Sequence, residues 1–236
     1  CDGKKYFDAI SSWWVTTHGH SHDHIANAIA EQARTLDQVI FADFTHEKGV
    51  LLAERLIRML GIGEGKVFYS DNGSTAVEAA LKISVQYWHN LAQRDSKHSK
   101  RNKIVCFANA YHGDTFGAMA ASGKTDFNKP FWPYLFEVKS IPPPTNGCEE
   151  FSINCLLDLL KGGDIAAFIF EPVVQGVAGM RIHSSDALEQ MIACCHRYGA
   201  ITIADEVMTG FGRTGHMFAI EKSGITPDLI CLGKGL

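Results

Sequence analysis

Apolar and polar positions along this chain follow two periods. A helical period runs through Ile25–Leu36 and, more strongly, through His46–Leu60, where Val50, Leu51, Leu52, Leu56, Ile57 and Leu60 are apolar. Further helix-length stretches are Ser74–Leu91, Glu149–Leu160 and Ser185–Tyr198. Between them lie apolar runs of strand length: Val67–Ser70, Ile104–Phe107, Ala166–Phe170, Ala200–Ala204 and Leu229–Leu232. Most of these runs are apolar on both faces, as strands are in a sheet covered on both sides. Strands alternating with helices predict an α/β fold with a mainly parallel central sheet. The clearest loop is Ile141–Gly147, with three consecutive prolines, and no internal repeat interrupts the pattern.

In open parallel sheets, ligands sit outside the carboxyl ends of the strands. Polar residues gather there in this sequence. Asp71-Asn72-Gly73-Ser74 follows the first run, Tyr111-His112-Gly113-Asp114 the second and Glu171-Pro172 the third. Asp205-Glu206 follows the fourth and Lys234 the fifth. Five stretches distant in sequence are thus expected to converge on one place.

Composition narrows the partners. A formal charge of −4 with no long Lys/Arg block excludes nucleic acid as an expected partner. No apolar run approaches the roughly 20 residues that a membrane-spanning helix needs, so no membrane partner is expected. The seven cysteines are odd in number and form no C-x-x-C pair, and Cys106 and Cys231 lie in apolar runs. That usage predicts reduced cysteines in a cytoplasmic protein. The chain opens on "CDGKKYFDA", without methionine, and is expected to be an internal part of a longer protein.

The candidate chemistry lies after the strands. "SDNGSTAVEAALK" is a turn feeding a helix. Gly73 permits close backbone approach, Ser74 and Thr75 offer hydroxyls, and the helix N-terminus supplies N–H groups for a phosphate. A plain capped helix would look similar, although Val77 three residues after Ser74 does not complete the usual capping box. Asp205 ends an apolar run and needs a partner if buried; a salt-bridged or capping aspartate is the simpler reading. Lys234, between Gly233 and Gly235, can be approached closely, and a partly buried lysine becomes a nucleophile towards aldehydes; a surface turn is its simpler reading. One ligand uses all three groups. Pyridoxal 5′-phosphate carries a phosphate, an aldehyde and a ring nitrogen that an anion keeps protonated, and Tyr111 offers an aromatic face for its ring.

"IADEVMTGFGRTG" followed by "PDLICLGKGL", with 29 residues from Asp205 to Lys234, resembles the hallmark segment of fold type I, class III pyridoxal-phosphate aminotransferases. The resemblance runs from "DAISSWWV" to the last residue. It implies the three-layer large domain of that fold, with Lys234 binding the cofactor aldehyde and Asp205 pairing with the ring nitrogen. It also implies Tyr111 and Val207 on the two ring faces, Gly73 and Ser74 at the phosphate, and His112 beside the cofactor. "ISSWWVTTHGHSH", "FYSDNGSTAVEAALK", "AYHGDTFGAM" and "EPVVQGVAGM" resemble the biotin-synthesis branch of the class. That branch aminates 8-amino-7-oxononanoate with S-adenosylmethionine, or in some members lysine, as donor. The resemblance makes Trp13, Trp14, Tyr111, Asp114 and Arg213 substrate-binding residues, although core packing would explain one tryptophan. It makes residues 1–45 a segment at the substrate entrance and the small-domain side, and 46–236 the cofactor-binding large domain. The rest of that domain and the small domain would lie beyond Leu236. It also implies a homodimer with shared active sites.

Two alternatives stay open. One is another class III enzyme acting on ω-amino acids or diamines. The other is a metallohydrolase built on His18, His20, His22 and His24, which on one strand face could share an ion. The order departs from H-x-H-x-D-H, since Asp23 falls one residue late. The class resemblance makes this run an ordinary family segment near the entrance, and no metal is expected.

Overall fold

The computed structural model describes residues 2–98 and 100–236. They divide into two compact units, residues 2–68 and residues 69–236, except that Gly235 groups with the first. In the first unit, α1 (Ser11–Trp14) is a single turn, followed by α2 (Asp23–Thr35) and α3 (Glu47–Met59). His46 caps α3 by accepting the Gly49 N–H at Nδ1, 3.2 Å away.

The second unit is an α/β fold. The long helix α4 (Gly73–Arg94) leads to β1 (Lys103–Phe107), the short α5 (Phe116–Ala120) and β2 (Val138–Ile141). Then come α6 (Glu149–Lys161), β3 (Ile165–Phe170), a small hairpin of β4 (Val174–Gln175) and β5 (Arg181–Ile182), and α7 (Ser185–Tyr198). β6 (Ile201–Asp205) and β7 (Leu229–Cys231) complete it. The main sheet has the order β2-β1-β3-β6-β7, and every pairing in it is parallel. All six residues of β3, the central strand, are buried, which is why its sequence reads as a continuous apolar run.

Helix α4 covers one face. Its Val77, Ala80, Leu81 and Trp88 form a buried cluster with Ile104, Cys106, Ala167, Ile169 and Ile203. Trp88 also donates its Nε1–H to the Ala166 carbonyl at 2.8 Å, and the Arg101 guanidinium lies 4.4 Å over its ring. Alternation sends Phe168 and Phe170 to the other face, where Phe168 meets Phe107 edge-on. α6 and α7 pack on one another and against β2 and β6, burying Leu156, Leu160, Leu188, Met191 and Ile192 outside the α4 cluster.

Four of the five expected strands are present within a residue or two. Val67–Ser70 is not a strand: it pairs with no strand among the described residues, and Phe68 is 72% exposed. An apolar run becomes a strand only where a neighbour takes its backbone groups. The edge strand β2 escapes a periodicity reading because Lys139 and Ser140 interrupt its apolar residues and only Ile141 is fully buried. Strand register fixes where the polar residues emerge. Asp205 at the end of β6 pairs with Cys231 at the end of β7, so Asp205 and the Lys234 segment leave the sheet at the same edge.

Candidate active site

The site is built where α4 begins. Asn72 caps the helix, accepting the Thr75 N–H at 3.1 Å while its own N–H donates to Thr75 Oγ1 at 3.0 Å. This is a reciprocal capping box, but on Asn72 and Thr75 rather than on Ser74, where the sequence pattern fails. The cap frees Ser74 for another role. Its Oγ accepts the Asp114 N–H at 3.2 Å, which fastens the loop after β1 over the helix N-terminus. Glu78, one turn on, strengthens the joint by accepting from Thr115 Oγ1 (2.7 Å) and the Ala118 N–H (3.1 Å).

Close approach at this helix end requires glycine. A Cβ at position 73 would stand 2.5 Å from Val207 Cγ1, and one at position 233 would stand 3.3 Å from both Gly73 Cα and Val207 Cγ1. The start of α4 and the segment carrying Lys234 therefore meet backbone to backbone, with the Val207 side chain from the loop after β6 packed against both. Beyond the Thr75 N–H that the cap uses, the N-terminus of α4 presents N–H groups and the positive end of its dipole, a fitting seat for a phosphate.

Asp205 is buried, and it has a partner. Its Oδ2 lies 2.7 Å from His112 Nδ1, and its Oδ1 accepts the Val207 N–H at 3.0 Å. His112 is itself anchored, its N–H donating to Ser122 Oγ at 2.8 Å, while its Nε2 is buried without a hydrogen bond among the described residues. With Nδ1 as the donor, the imidazole directs its N–H at one Asp205 oxygen and fixes the orientation of the carboxylate. The Tyr111 hydroxyl donates to Asp114 Oδ2 at 2.8 Å. Burial and that acceptor push its phenol up to about 12, so it stays protonated at neutral pH.

Lys234 is half-buried. Burial draws its amine below the ordinary lysine value, the Asp205 and Glu171 carboxylates oppose the shift, and Arg213 adds to it. These groups surround one amine, which is therefore neutral more often than a surface lysine and better able to attack an aldehyde. Arg213 is exposed, on the loop between β6 and β7. Glu206, next to Asp205, serves that loop. It is buried, accepts from Thr209 Oγ1 and takes the Ile220 N–H at 2.7 Å.

One residue expected among the converging stretches was given no role by the sequence. Glu171 follows β3, is 5% exposed, and accepts the Tyr111 N–H at 3.2 Å and the Gly176 N–H at 2.9 Å. Its backbone carbonyl lies 2.8 Å from His183 Nε2. Burial pushes the Glu171 carboxyl up to about 7, with His112 restraining the shift and Asp205 adding to it. The signal was its position after a buried strand, but Glu171-Pro172 carries no spacing that separates it from an ordinary turn.

The second unit thus brings together Gly73, Ser74, Tyr111, His112, Asp114, Asp205, Val207 and Lys234, with Arg213 nearby. Trp13 and Trp14 belong to the first unit, where their rings meet edge-on with centroids 5.7 Å apart and Trp13 is 60% exposed.

The histidine run corrects the metallohydrolase alternative. It does not lie on a strand: α2 begins at Asp23 and takes His24 into its first turn, while His20 Nε2 turns to Asp8 Oδ2 at 2.7 Å. Among the described residues no three His, Cys, Asp or Glu side chains are grouped to hold a metal ion. None of the described helices is long and apolar enough to cross a membrane.

Comparison with known proteins gives the family. The model of the class III aminotransferases matches residues 1–236. Adenosylmethionine-8-amino-7-oxononanoate aminotransferase of Synechococcus elongatus is 50% identical over 243 residues, covering 100% of this chain and 56% of that protein. The crystal structure of the Methanocaldococcus jannaschii protein of the same name superposes with a TM-score of 0.85 at 34% identity, over 99% of this chain and 53% of that one. An amine transaminase from an uncultivated Pseudomonas species, solved in its PLP-bound form, gives a TM-score of 0.88 at 31% identity, over 99% of this chain and 55% of that one. The chain spans about half the length of the curated relatives it matches.

Proposed function

The chain belongs to the class III aminotransferase family, and from that premise we propose that the whole protein uses pyridoxal 5′-phosphate to transfer an amino group from S-adenosylmethionine to 8-amino-7-oxononanoate. The product would be 7,8-diaminononanoate, on the route to biotin. One observation carries the reading: a half-buried lysine, a buried carboxylate and a helix N-terminus meet at one edge of the sheet. These match the aldehyde, the ring nitrogen and the phosphate of the cofactor. The 50% identity to a relative named for this reaction supports the choice of substrates.

The cofactor, when bound, supplies an electron sink that lets a C–H bond beside nitrogen ionise. The residues have separate tasks. Gly73 and Ser74 hold the phosphate with the N-terminus of α4. Tyr111 and Val207 confine the ring from its two faces. His112 orients Asp205, whose other task is to keep the ring nitrogen protonated. Lys234 Nζ would hold the cofactor at its aldehyde, and its amine would be the base that takes a proton from the donor carbon and the acid that gives one to the acceptor carbon. Trp13, Trp14, Tyr111, Asp114 and Arg213 receive the substrates. Donor and acceptor use the same pocket in turn, so initial-rate plots should give parallel lines.

The protein would act as a homodimer with shared active sites in the reducing cytoplasm. Buried Cys106, Cys195 and Cys231, which form no disulfide in the described fold, suit that compartment. The test is a substrate panel on the purified full-length protein. Turnover of 8-amino-7-oxononanoate with S-adenosylmethionine, well above that with 4-aminobutyrate or ornithine, is expected. Preference for 4-aminobutyrate or ornithine would move the protein to another branch of the class, and preference for lysine would change the donor alone.

A further inference from the structure

The Ser11–Trp14 turn is wound the wrong way for L-residues. Its four residues have φ of 50°, 49°, 61° and 68°, and no glycine lies among them. A left-handed run of side-chain-bearing residues is strained at every position and persists only where its surroundings hold it. Burial does not supply that hold, because Ser12 and Trp13 are exposed. Backbone bonds supply part of it: the Trp14 N–H donates to the Ile10 carbonyl at 3.0 Å and the Thr16 N–H to the Ser11 carbonyl at 2.9 Å.

A single carboxylate supplies more. Asp8 Oδ2 accepts the Ser12 N–H at 2.7 Å and the Ser12 hydroxyl at 3.1 Å, and Oδ1 accepts the Ile10 N–H at 3.3 Å. His20 Nε2 meets the same Oδ2 at 2.7 Å and holds the Asp8 carboxyl below the usual carboxylate range, so it is charged at neutral pH. A charged acceptor makes the stronger kind of hydrogen bond. Asp8 thus joins the turn that carries the two indoles to the start of the histidine run.

We propose that Asp8 is the positioning residue for the Trp13–Trp14 pair, its carboxylate pinning the left-handed turn in the form that receives the oxo substrate. The part concerning substrate rests on the proposed function, in which a tryptophan of this pair contacts it; the part concerning the turn does not. This gives "HGHSH" a use without a metal: His20 is the second support of the carboxylate that sets the turn.

The experiment uses the full-length holoenzyme labelled with 5-fluorotryptophan, in the wild type and in Asp8→Ala and Asp8→Asn. Single Trp→Phe variants assign the fluorine resonances. In Asp8→Ala the Trp13 and Trp14 resonances should sharpen and move towards that of free fluorotryptophan, while Trp88 and Trp132 stay in place. KM for 8-amino-7-oxononanoate should rise about fivefold or more, with a smaller change in kcat, the mark of lost binding rather than lost chemistry. Asp8→Asn, which keeps one acceptor oxygen, should fall between, and it serves in place of Asp8→Ala should that variant not fold. Unmoved Trp13 and Trp14 resonances would overturn the proposal whatever the kinetics. Moved resonances with an unchanged KM would overturn its substrate part. Should the wild type not turn over 8-amino-7-oxononanoate at all, the functional reading fails while the fluorine spectra still decide the role of Asp8.

Discussion

Glu171→Gln should change how stability depends on pH. Glu171 is buried behind Tyr111 and accepts two backbone N–H groups. Burial raises its carboxyl from 4.5 to about 7 in the fold. A group whose folded pKa lies above its unfolded value favours the fold fully below the unfolded value. That contribution is lost as pH rises through the folded one. At about 1.4 kcal/mol for each pH unit between the two values, the loss amounts to about 3.5 kcal/mol once pH is well above the folded value. Glutamine does not ionise, so the variant should lack this slope. It also turns one NH2 donor towards an N–H of Tyr111 or Gly176, which costs about 1–3 kcal/mol at every pH. The pH-dependent difference between the two proteins is therefore what identifies the cause. Urea unfolding of the cofactor-free full-length protein measures it between about pH 4.5 and about pH 8. The variant should gain about 2–3 kcal/mol on the wild type across that window. Wild type and variant moving in parallel would refute the burial argument for Glu171.

Three further substitutions probe the frame and the site. Gly73→Ala puts a methyl group 2.5 Å from Val207 Cγ1; it should cost about 1–3 kcal/mol by overpacking and weaken cofactor retention, read by thermal melting and by equilibrium dialysis. Trp88→Ala empties a core position under α4 and leaves the Ala166 carbonyl without its donor, so it should cost about 3–5 kcal/mol in a denaturant titration. Asp205→Asn removes the charge that His112 orients. It should bind cofactor weakly and lose most of the turnover, and retention of the wild-type rate would count against Asp205 as the ring partner.

Four strands of the main sheet were legible in the sequence, and the edge strand β2 was not. β1, β3 and β6 were legible because buried strands are apolar almost throughout, and Phe168 beside Ile169 marks two covered faces; β7 was legible because Leu229-Ile230-Cys231 is an unbroken apolar run, although only Cys231 is fully buried. β2 was illegible because Lys139 and Ser140 break its apolar residues, as solvent access on an edge strand allows. Val67–Ser70 has the composition of a strand, but no strand pairs with it in the described fold. Site residues were legible in so far as they follow strands, which is a matter of topology. Their contacts were not. His112 against Asp205 spans 93 residues, and Glu171 against the Tyr111 N–H spans 60, distances over which a single sequence carries no pairing signal. The cap on Asn72 was hidden because Ser74, two residues on, is an equally good capping residue type, and only the fold decides between them. Least legible was the left-handed turn at Ser11–Trp14, because "SSWW" contains none of the glycine or asparagine that normally announces positive φ.

The proposed function turns on the Lys234 amine, beside the meeting point of Gly73, Val207 and Gly233, carrying the cofactor covalently. Its most direct test is the visible absorption spectrum of the purified full-length protein before and after borohydride, followed by peptide mapping. A yellow protein that bleaches on reduction is expected, with pyridoxyl mass on the peptide containing Lys234, and a colourless Lys234→Ala variant. A colourless wild type, or reduction that places the added mass on another lysine, would contradict it.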